Sequence, residues 1–312
     1  MRTGIWITAA MLSFFGGAAE AEVPAVVVDV GPVHSLAAQV MAGLGEPAMV
    51  VRQGASPHGY AMRPSEAAAL QRADVVFYVS GDLTRWFEEA VASLAGQARP
   101  VELMQSPGTT RLGFREAALF AADEESHAEE GHAEDEDHAH EGLDPHGWLD
   151  PDNARLWLDV IAAELAAADP EHADTYRANA RAGQEAIAAA AAQAQALLKP
   201  LADRPFFVHH DAYQYFEHRF GLRAAGAVTP SDAAQAGPRR VAELRAAAAE
   251  MGAVCIFSEP QFNPAILATV FEGRTLRRAA LDPLGTGLDP GPGLYPALID
   301  GLAQDVASCL AD

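Results

Sequence analysis

The chain of 312 residues has few basic residues, two cysteines and, beyond its first residues, no long apolar run. Its 21 lysines and arginines stand against 43 aspartates and glutamates, which gives a formal net charge of −22. This excess of negative charge argues against nucleic acid or an anionic membrane surface as a partner. The absence of a later run of about 18 apolar residues argues against a membrane-spanning helix.

Three motifs of common enzyme classes are also missing. The sequence contains no GxxxxGK[ST] phosphate loop, no GxSxG nucleophile turn and no HExxH metalloprotease pair. The chemistry of this protein must therefore be sought in other constellations of residues.

The first residues indicate export. Met1 and Arg2 give a short positive start, residues 5–15 are mostly apolar, and Ala19-Glu20-Ala21 fits a small-x-small cleavage site. This pattern predicts a signal peptide over residues 1–21 and a mature protein in the periplasm. The alternative is an apolar terminus without a targeting role.

The two cysteines are Cys255 and Cys309. In an oxidising compartment an even pair predicts a disulfide, here between a strand-like segment and the C-terminal tail. Free thiols or a ligand role are the alternatives. Their wide separation excludes a local CxxC metal or redox motif.

Candidate strands and helices alternate along most of the chain, which predicts α/β folding with parallel sheets. An Ala-rich segment between Pro170 and Pro200 predicts one helix about as long as a domain is wide. We therefore expect a first lobe over 22–168, a rigid linker helix over 170–199 and a second lobe over 201–312. In such folds, ligands bind outside the carboxyl ends of the strands, which here face an interdomain cleft.

Three histidines lie at predicted strand or loop ends, namely His58 in GASPHGY, His146 in DPHGW and His210 in FFVHHDAY. Three convergent imidazoles suit zinc better than manganese or calcium. Any one of them alone could instead be a capping or packed histidine. Their shared type of position favours a metal site, although the sequence pattern does not show that they converge.

Four more histidines occupy an acidic segment, residues 123–141, that contains ten carboxylates and no basic residue. The segment is too charged and too poor in apolar residues to fold alone. Histidine-rich tracts bind transition metals, so we expect weak auxiliary zinc capture, with a solvated spacer as the alternative. The histidines concerned are His127, His132, His138 and His140.

Five ordered motifs resemble one family. They are VRQGASPHGYAMRPSEAAALQRADVV, DPHGWLDPDNA, FVHHDAYQYFEHRFGL, FSEPQFNP and LDPLGTG. Their order is similar to that in the ZnuA-type branch of the metal-binding solute-binding proteins, the periplasmic zinc-binding components of ABC uptake systems. The resemblance covers essentially the whole mature chain, including the cysteine pair and a His/acid-rich insertion.

The resemblance implies that His58, His146 and His210 are the protein ligands of one Zn²⁺. Asp282 in LDPLG matches the position where some relatives supply a carboxylate, and others leave this place to water or to an acid beside the first histidine. Here Pro57 precedes His58, so the fourth ligand is Asp282 or water. Manganese-binding relatives typically carry a carboxylate at the position of His210, so a histidine at this position favours zinc.

The resemblance further implies a non-enzymatic function, the delivery of zinc to an ABC permease of the inner membrane. We expect a monomer, with a periplasmic zinc chaperone as a further partner. The alternatives are a manganese-binding protein, an adhesin of the same fold and, from another class, a secreted zinc hydrolase.

Residues near the three histidines receive other expectations. His209 should point away from His210 and be packed or solvent-facing. Glu259 should line the cleft or brace a hinge, with a direct ligand role as the weaker alternative. Asp211 and Tyr60 are candidates to orient the imidazoles.

Overall fold

The computed structural model describes residues 23–115, 117–120, 142–229, 237–252, 255–263, 265–273 and 276–311. The predicted signal peptide and the histidine-rich segment lie outside these residues. Two sheets of four parallel strands organise the chain. Their strands are β1 Val26–Val28, β2 Ala48–Met49, β3 Val75–Tyr78, β4 Arg99–Glu102, β5 Phe206–His210, β6 Ala224–Thr229, β7 Cys255–Ser258 and β8 Arg277–Ala280.

The two sheets share one topology. Their strand orders are β2-β1-β3-β4 and β6-β5-β7-β8, so the first strand of each lobe lies inside its sheet, between the second and the third. The carboxyl ends of the two inner strands mark the point where the chain switches direction across the sheet, and ligands bind there in open α/β sheets. The residues that end β5 and follow β7 are therefore the first place to look for a site.

Nine helices connect and cover the strands in the described residues. They are α1 Gly31–Val40, α2 Pro64–Gln71, α3 Arg85–Leu94, α4 Pro151–Ala168, α5 Ala173–Leu198, α6 Gln214–Phe220, α7 Pro238–Glu250, α8 Ala265–Val270 and α9 Leu294–Leu310. Local signals explain several of the helix starts. Asp150 caps α4 by accepting a hydrogen bond from the amide of Asp152, and Pro151 occupies the first turn, where no backbone donor is needed.

The long linker helix is α5, with 26 residues. It is slightly shorter than the segment between the prolines, because residues 170–172 and 199–201 form 3₁₀ turns at its two ends. The helix packs against α4 and α1 from the first lobe and against α9 from the second. It is thus a shared wall of both lobes as well as a connector.

Helix α9 returns from the second lobe to the first. The amide of Tyr295 donates to the Ser35 hydroxyl in α1 at 2.9 Å, and the Tyr295 hydroxyl donates to the carbonyl of Trp148 at 2.6 Å. The main apolar core is accordingly continuous from β1 through α1, α4, α5 and α9 to β5 and β7. A disulfide between Cys255 in β7 and Cys309 in α9 fastens the last helix to the second sheet, so the predicted bridge is present.

The predicted α/β class, with two parallel sheets and a long helix between them, is confirmed. Among the described helices, none combines the length and the apolar character of a membrane span. The division at residues 22–168, 170–199 and 201–312 stays a prediction.

The packing of α5 leads to a prediction about its single glycine. A Cβ on Gly183 would lie 2.4 Å from Gln39 Oε1 in α1 and 2.9 Å from Leu158 Cδ1 in α4. We expect Gly183→Leu to lower the free energy of unfolding by about 1–3 kcal/mol, because the side chain must push three helices apart. Urea unfolding measures this.

The control is Ala182→Leu at the exposed neighbouring position of the same helix. This variant should be nearly neutral, since leucine is a good helix former. Equal stabilities of the two variants would show that α5 does not pack closely at Gly183.

Candidate metal centre

Three imidazoles converge between the lobes. His58 lies in the connection from β2 to α2, His146 precedes the turn that leads into α4, and His210 is the last residue of β5. One ring nitrogen from each lies within 4.8 Å of the others, and the Nε2 atoms of His146 and His210 are 3.4 Å apart. In the part of the chain that the structure describes, this is the one group of three potential metal ligands.

Asp144 orients His146. Its Oδ1 accepts hydrogen bonds from the backbone amide of His146 at 3.0 Å and lies 2.7 Å from Nδ1 of the ring. This pairing leaves Nε2 facing the other two histidines and fixes the plane of the ring. Burial raises the pKa of Asp144 to about 7.

His146 itself is fully buried, and its electrostatic state follows from this position. Burial, assisted by the nearby His210, lowers its pKa well below the ordinary value of 6.5. The ring is therefore neutral at physiological pH. A neutral imidazole has the free lone pair that a metal ion requires.

Glu259 orients His210 in the same way. It follows β7, the strand beside β5, and its Oε1 lies 2.6 Å from Nδ1 of His210. These two side chains occupy the switch point of the second sheet, where its topology predicts a ligand site. Glu259 thus lines the cleft, as expected, and contacts the imidazole on the side away from the other two histidines.

His58 is the partly exposed member of the group. Trp86 in α3 holds its loop by donating from Nε1 to the carbonyl of Pro57 at 2.8 Å, and the amide of His58 donates to the Ser56 hydroxyl at 3.3 Å. The ring centroid of His58 lies 5.5 Å from that of His146 and 6.1 Å from that of His210.

The pocket around the three rings is small and is lined by both polar and apolar residues. Its internal space is about 20 Å³, room for one body of the size of a water molecule. Apart from Ser56, Glu259, Gln261 and the histidines, its walls are Pro57, Trp148, Phe262, Pro283 and Leu284. A site of this size fits a single ion and is much smaller than the usual pocket for an organic ligand.

Asp282 has a different environment. Its Oδ2 accepts hydrogen bonds from the amide and the hydroxyl of Thr286 at 2.5 and 2.6 Å. Its Oδ1 accepts from the amide of Leu284 at 3.1 Å and from Gln261 at 3.3 Å. The carboxylate is therefore fully engaged in the turn after β8, and it is not a member of the three-histidine group.

The neighbours named from the sequence have varied roles. His209 is buried against the Phe262 ring, 4.5 Å between centroids, and burial lowers its pKa to about 4. Asp211 forms an ion pair with Arg115. The Tyr60 hydroxyl donates a hydrogen bond to Glu66 and accepts one from Arg52. Neither orients an imidazole through a described contact.

Sequence reasoning missed Asp144 as the partner of His146. The signal that could have identified it is the D-x-H spacing in DPH, which allows a carboxylate to reach the backbone and the ring two residues later. His127, His132, His138 and His140 lie outside the described residues.

Comparison with known proteins gives the family. The family model described as "Zinc-uptake complex component A periplasmic" matches residues 26–309. The chain belongs to this ZnuA family. A relative from Brucella suis, named High-affinity zinc uptake system protein ZnuA, is 38% identical over 97% of both chains. A ZnuA relative of the same name from Paracoccus denitrificans is 40% identical over 99% of both chains.

The ZnuA-type fold is shared with proteins that hold other ions. The structure of FpvC from Pseudomonas aeruginosa in complex with Mn²⁺ superposes with a TM-score of 0.76 at 22% identity, covering 92% of this chain and 98% of that one. The likeness shows a common fold. Because that protein holds Mn²⁺, the choice of metal must be argued from the ligands.

Proposed function

We propose that this protein binds Zn²⁺ in the periplasm and delivers it to the permease of an ABC uptake system. The observation that carries the proposal is the convergence of three imidazoles from both lobes on a pocket for one ion. Membership in the zinc-uptake family and the names of the relatives support it. Zinc is here the cargo, captured and released without bond chemistry.

The donor set supports zinc over manganese. Nitrogen ligands of tetrahedral zinc lie about 2.0–2.1 Å from the ion, which places them about 3.3–3.4 Å from one another. The Nε2 atoms of His146 and His210 are 3.4 Å apart, at this spacing. Manganese prefers carboxylate, carbonyl and water oxygens in octahedral geometry, whereas imidazole suits zinc.

We propose water as the fourth ligand, with His58, His146 and His210 as the other three. The hydrogen bonds of Asp282 to Thr286, Leu284 and Gln261 support this choice over coordination by Asp282.

The location and partners follow from the same proposal. Residues 1–21 act as a signal peptide, residues 22–168 and 201–312 act as the two metal-binding lobes, and residues 170–199 connect them. The protein works as a monomer that docks on the permease, and a periplasmic chaperone is a further source of zinc. The family description supports the periplasmic location and the uptake complex.

The rival functions have less support. A zinc hydrolase needs an acid or base beside metal-bound water. The two candidate carboxylates have other partners, because Glu259 is hydrogen-bonded to His210 and Asp282 to residues of its own turn. A manganese-binding protein would bind its ion more tightly with a carboxylate at the position of His210, because manganese prefers oxygen ligands. For an adhesin of the same fold, the described residues offer no specific observation.

The first prediction about zinc binding concerns the three proposed ligands. His58→Ala, His146→Ala and His210→Ala should each weaken zinc binding by about an order of magnitude or more, because each removes one of three protein ligands. Competition with a zinc chelator measures this. The control is His218→Ala, at an exposed histidine of α6, which should bind zinc like the parent. Parental affinity in His210→Ala would exclude a site shared by the two lobes.

The second prediction concerns pH. Protons and zinc compete for the same ring nitrogens, so affinity should be nearly constant above about pH 7.5 and fall progressively below about pH 6. Because burial lowers the pKa of His146, that ring resists protonation and the loss should be less steep than for three ordinary imidazoles. Calorimetry across a pH series measures it. Unchanged affinity down to about pH 4.5 would contradict imidazole ligation.

The third prediction concerns residues 123–141, for which we propose weak auxiliary zinc capture. Deleting Glu124 to Glu141 removes four histidines and nine carboxylates and retains Asp144 and His146. One zinc should still bind with near-parental affinity, and only weaker additional equivalents should disappear. The physical reason is that ligands on a segment without an apolar core lose conformational entropy when they converge, whereas a packed site avoids most of this cost.

The matched control keeps the length and the charge of the segment and replaces His127, His132, His138 and His140 by serine. If histidines capture the extra zinc, this variant and the deletion should lose the same equivalents in calorimetry. Retention of these equivalents in the serine variant would assign them to the carboxylates. Loss of the tight site on deletion would make the segment the main binder.

A further inference from the structure

A strap from the first lobe lies across the second. The strap comprises residues 111–115 and 117–120, which follow β4 and precede the histidine-rich segment. Leu119 pairs antiparallel with Gly226 in the edge strand β6, and Arg240 of α7 donates to the carbonyl of Ala117 at 3.1 Å. A Cβ on Gly226 would lie 2.1 Å from the carbonyl oxygen of Ala118, so only glycine permits this close approach.

Arg115 is the main polar anchor of the strap. Its guanidinium donates to both carboxylate oxygens of Asp211, from Nε at 2.9 Å and from Nη2, and to both oxygens of Glu217, at 2.9 and 3.2 Å. It also lies 3.7 Å from the centre of the Phe120 ring. The side chain is 15% exposed, which makes this ion pair a largely buried one.

The two carboxylates belong to the segment that carries a proposed metal ligand. Asp211 follows His210 directly, and Glu217 lies in α6, where it also accepts a hydrogen bond from the amide of Ala224 in β6. Arg115 thus holds the turn after His210 from the first-lobe side.

The start of the strap is joined to the other buried ligand. Gly113 pairs antiparallel with Leu143, and the amide of Asp144 donates to the carbonyl of Leu112 at 2.9 Å. The hydroxyl of Tyr215 accepts from the amide of Leu112 and donates to the carbonyl of Asp144. Asp144 in turn orients His146. Hydrogen bonds therefore connect His146 to the start of the strap, the strap backbone leads to Arg115, and hydrogen bonds of Arg115 reach the residue beside His210.

We propose that Arg115 is a positioning residue for the metal site: by fastening the strap to Asp211 and Glu217, it holds His146 of one lobe and His210 of the other at coordination distance. It acts through these neighbours and does not itself contact the ion. The proposal rests on the zinc function proposed above. It adds a specific non-covalent link to the helical connection between the lobes.

Arginine is suited to this role in a way that lysine is not. Its planar fork presents several donors at fixed angles and can satisfy two carboxylates with paired hydrogen bonds, whereas an ammonium group is a point charge on a flexible stem. Arg115→Lys therefore preserves the charge balance of the buried cluster and removes its geometry. This variant should fold, since neither carboxylate loses its positive neighbour.

The experiment compares Arg115→Lys with Arg99→Lys. Arg99 forms an ion pair with Glu164 inside the first lobe, and its side chain is 63% exposed. We expect Arg115→Lys to weaken zinc binding by about tenfold or more in chelator competition. The zinc affinity of Arg99→Lys should equal that of the parent. The affinity is measured well below the unfolding temperature of each variant. A merely structural role would lower that temperature and leave the affinity unchanged.

A second readout follows the lobes without zinc. Ala92→Cys in α3 and Ala246→Cys in α7 introduce exposed labelling sites, and both native cysteines lie in the disulfide. Spin labels at these sites report the distance between the lobes. In metal-free protein with Arg115 we expect the same narrow distribution as with zinc. With Arg115→Lys the metal-free distribution should broaden, and zinc should narrow it again.

The proposal is overturned if Arg115→Lys binds zinc within about twofold of the parent, or if its metal-free distance distribution is unchanged. Either outcome would leave the zinc function intact. Failure of the parent to bind zinc would instead contradict the proposed function, and the distance measurement would then still test the strap.

Discussion

The central constraint of this structure is that two ring nitrogens from different lobes lie 3.4 Å apart. Tetrahedral coordination tolerates errors of a few tenths of an ångström at this distance, so both rings and both lobes must be fixed. Each ring is fixed by one carboxylate on its far nitrogen, Asp144 for His146 and Glu259 for His210. These two hydrogen bonds determine which nitrogen of each ring faces the proposed metal site.

A flexible hinge would not hold the two lobes at a fixed distance, and packed helices provide the rigid connection. Helix α5 packs against helices of both lobes, α9 returns to contact α1, and one apolar core runs through them. The close contact at Gly183 brings α1 and α4 against α5. A continuous core resists shear because its side chains are packed at the density of a crystal. The lobes of this protein therefore have less freedom than domains joined only by loops.

Much of this could be predicted from local patterns. The alternation of candidate strands and helices indicated the α/β fold, the Ala-rich composition between two prolines indicated α5, and histidines at strand and loop ends indicated the candidate site. The strap and Glu259 followed from no such pattern, because Arg115 and Asp211 are 96 positions apart and His210 and Glu259 are 49 apart. Asp144, in contrast, lies two residues before His146. The long-range contacts depend on how the lobes pack. The hydrogen bonds of Asp282 within its own turn could likewise not be predicted, because the same motif can contain a metal-binding aspartate or an aspartate that caps a turn.

The charges around the pocket show why a dication suits it. Imidazole coordinates a metal ion in its neutral form, so the three proposed ligands contribute no charge to offset that of the ion. Asp144 and Glu259 lie one imidazole away, buried at 1% and 3% exposure, where water screens their interaction with the ion weakly. A divalent ion stabilises the charged forms of these carboxylates more strongly than a monovalent ion does, which opposes the burial that raises the pKa of Asp144. The same carboxylates that orient the rings therefore also favour a divalent ion, and the apolar side chains of the pocket limit the screening of this interaction by water.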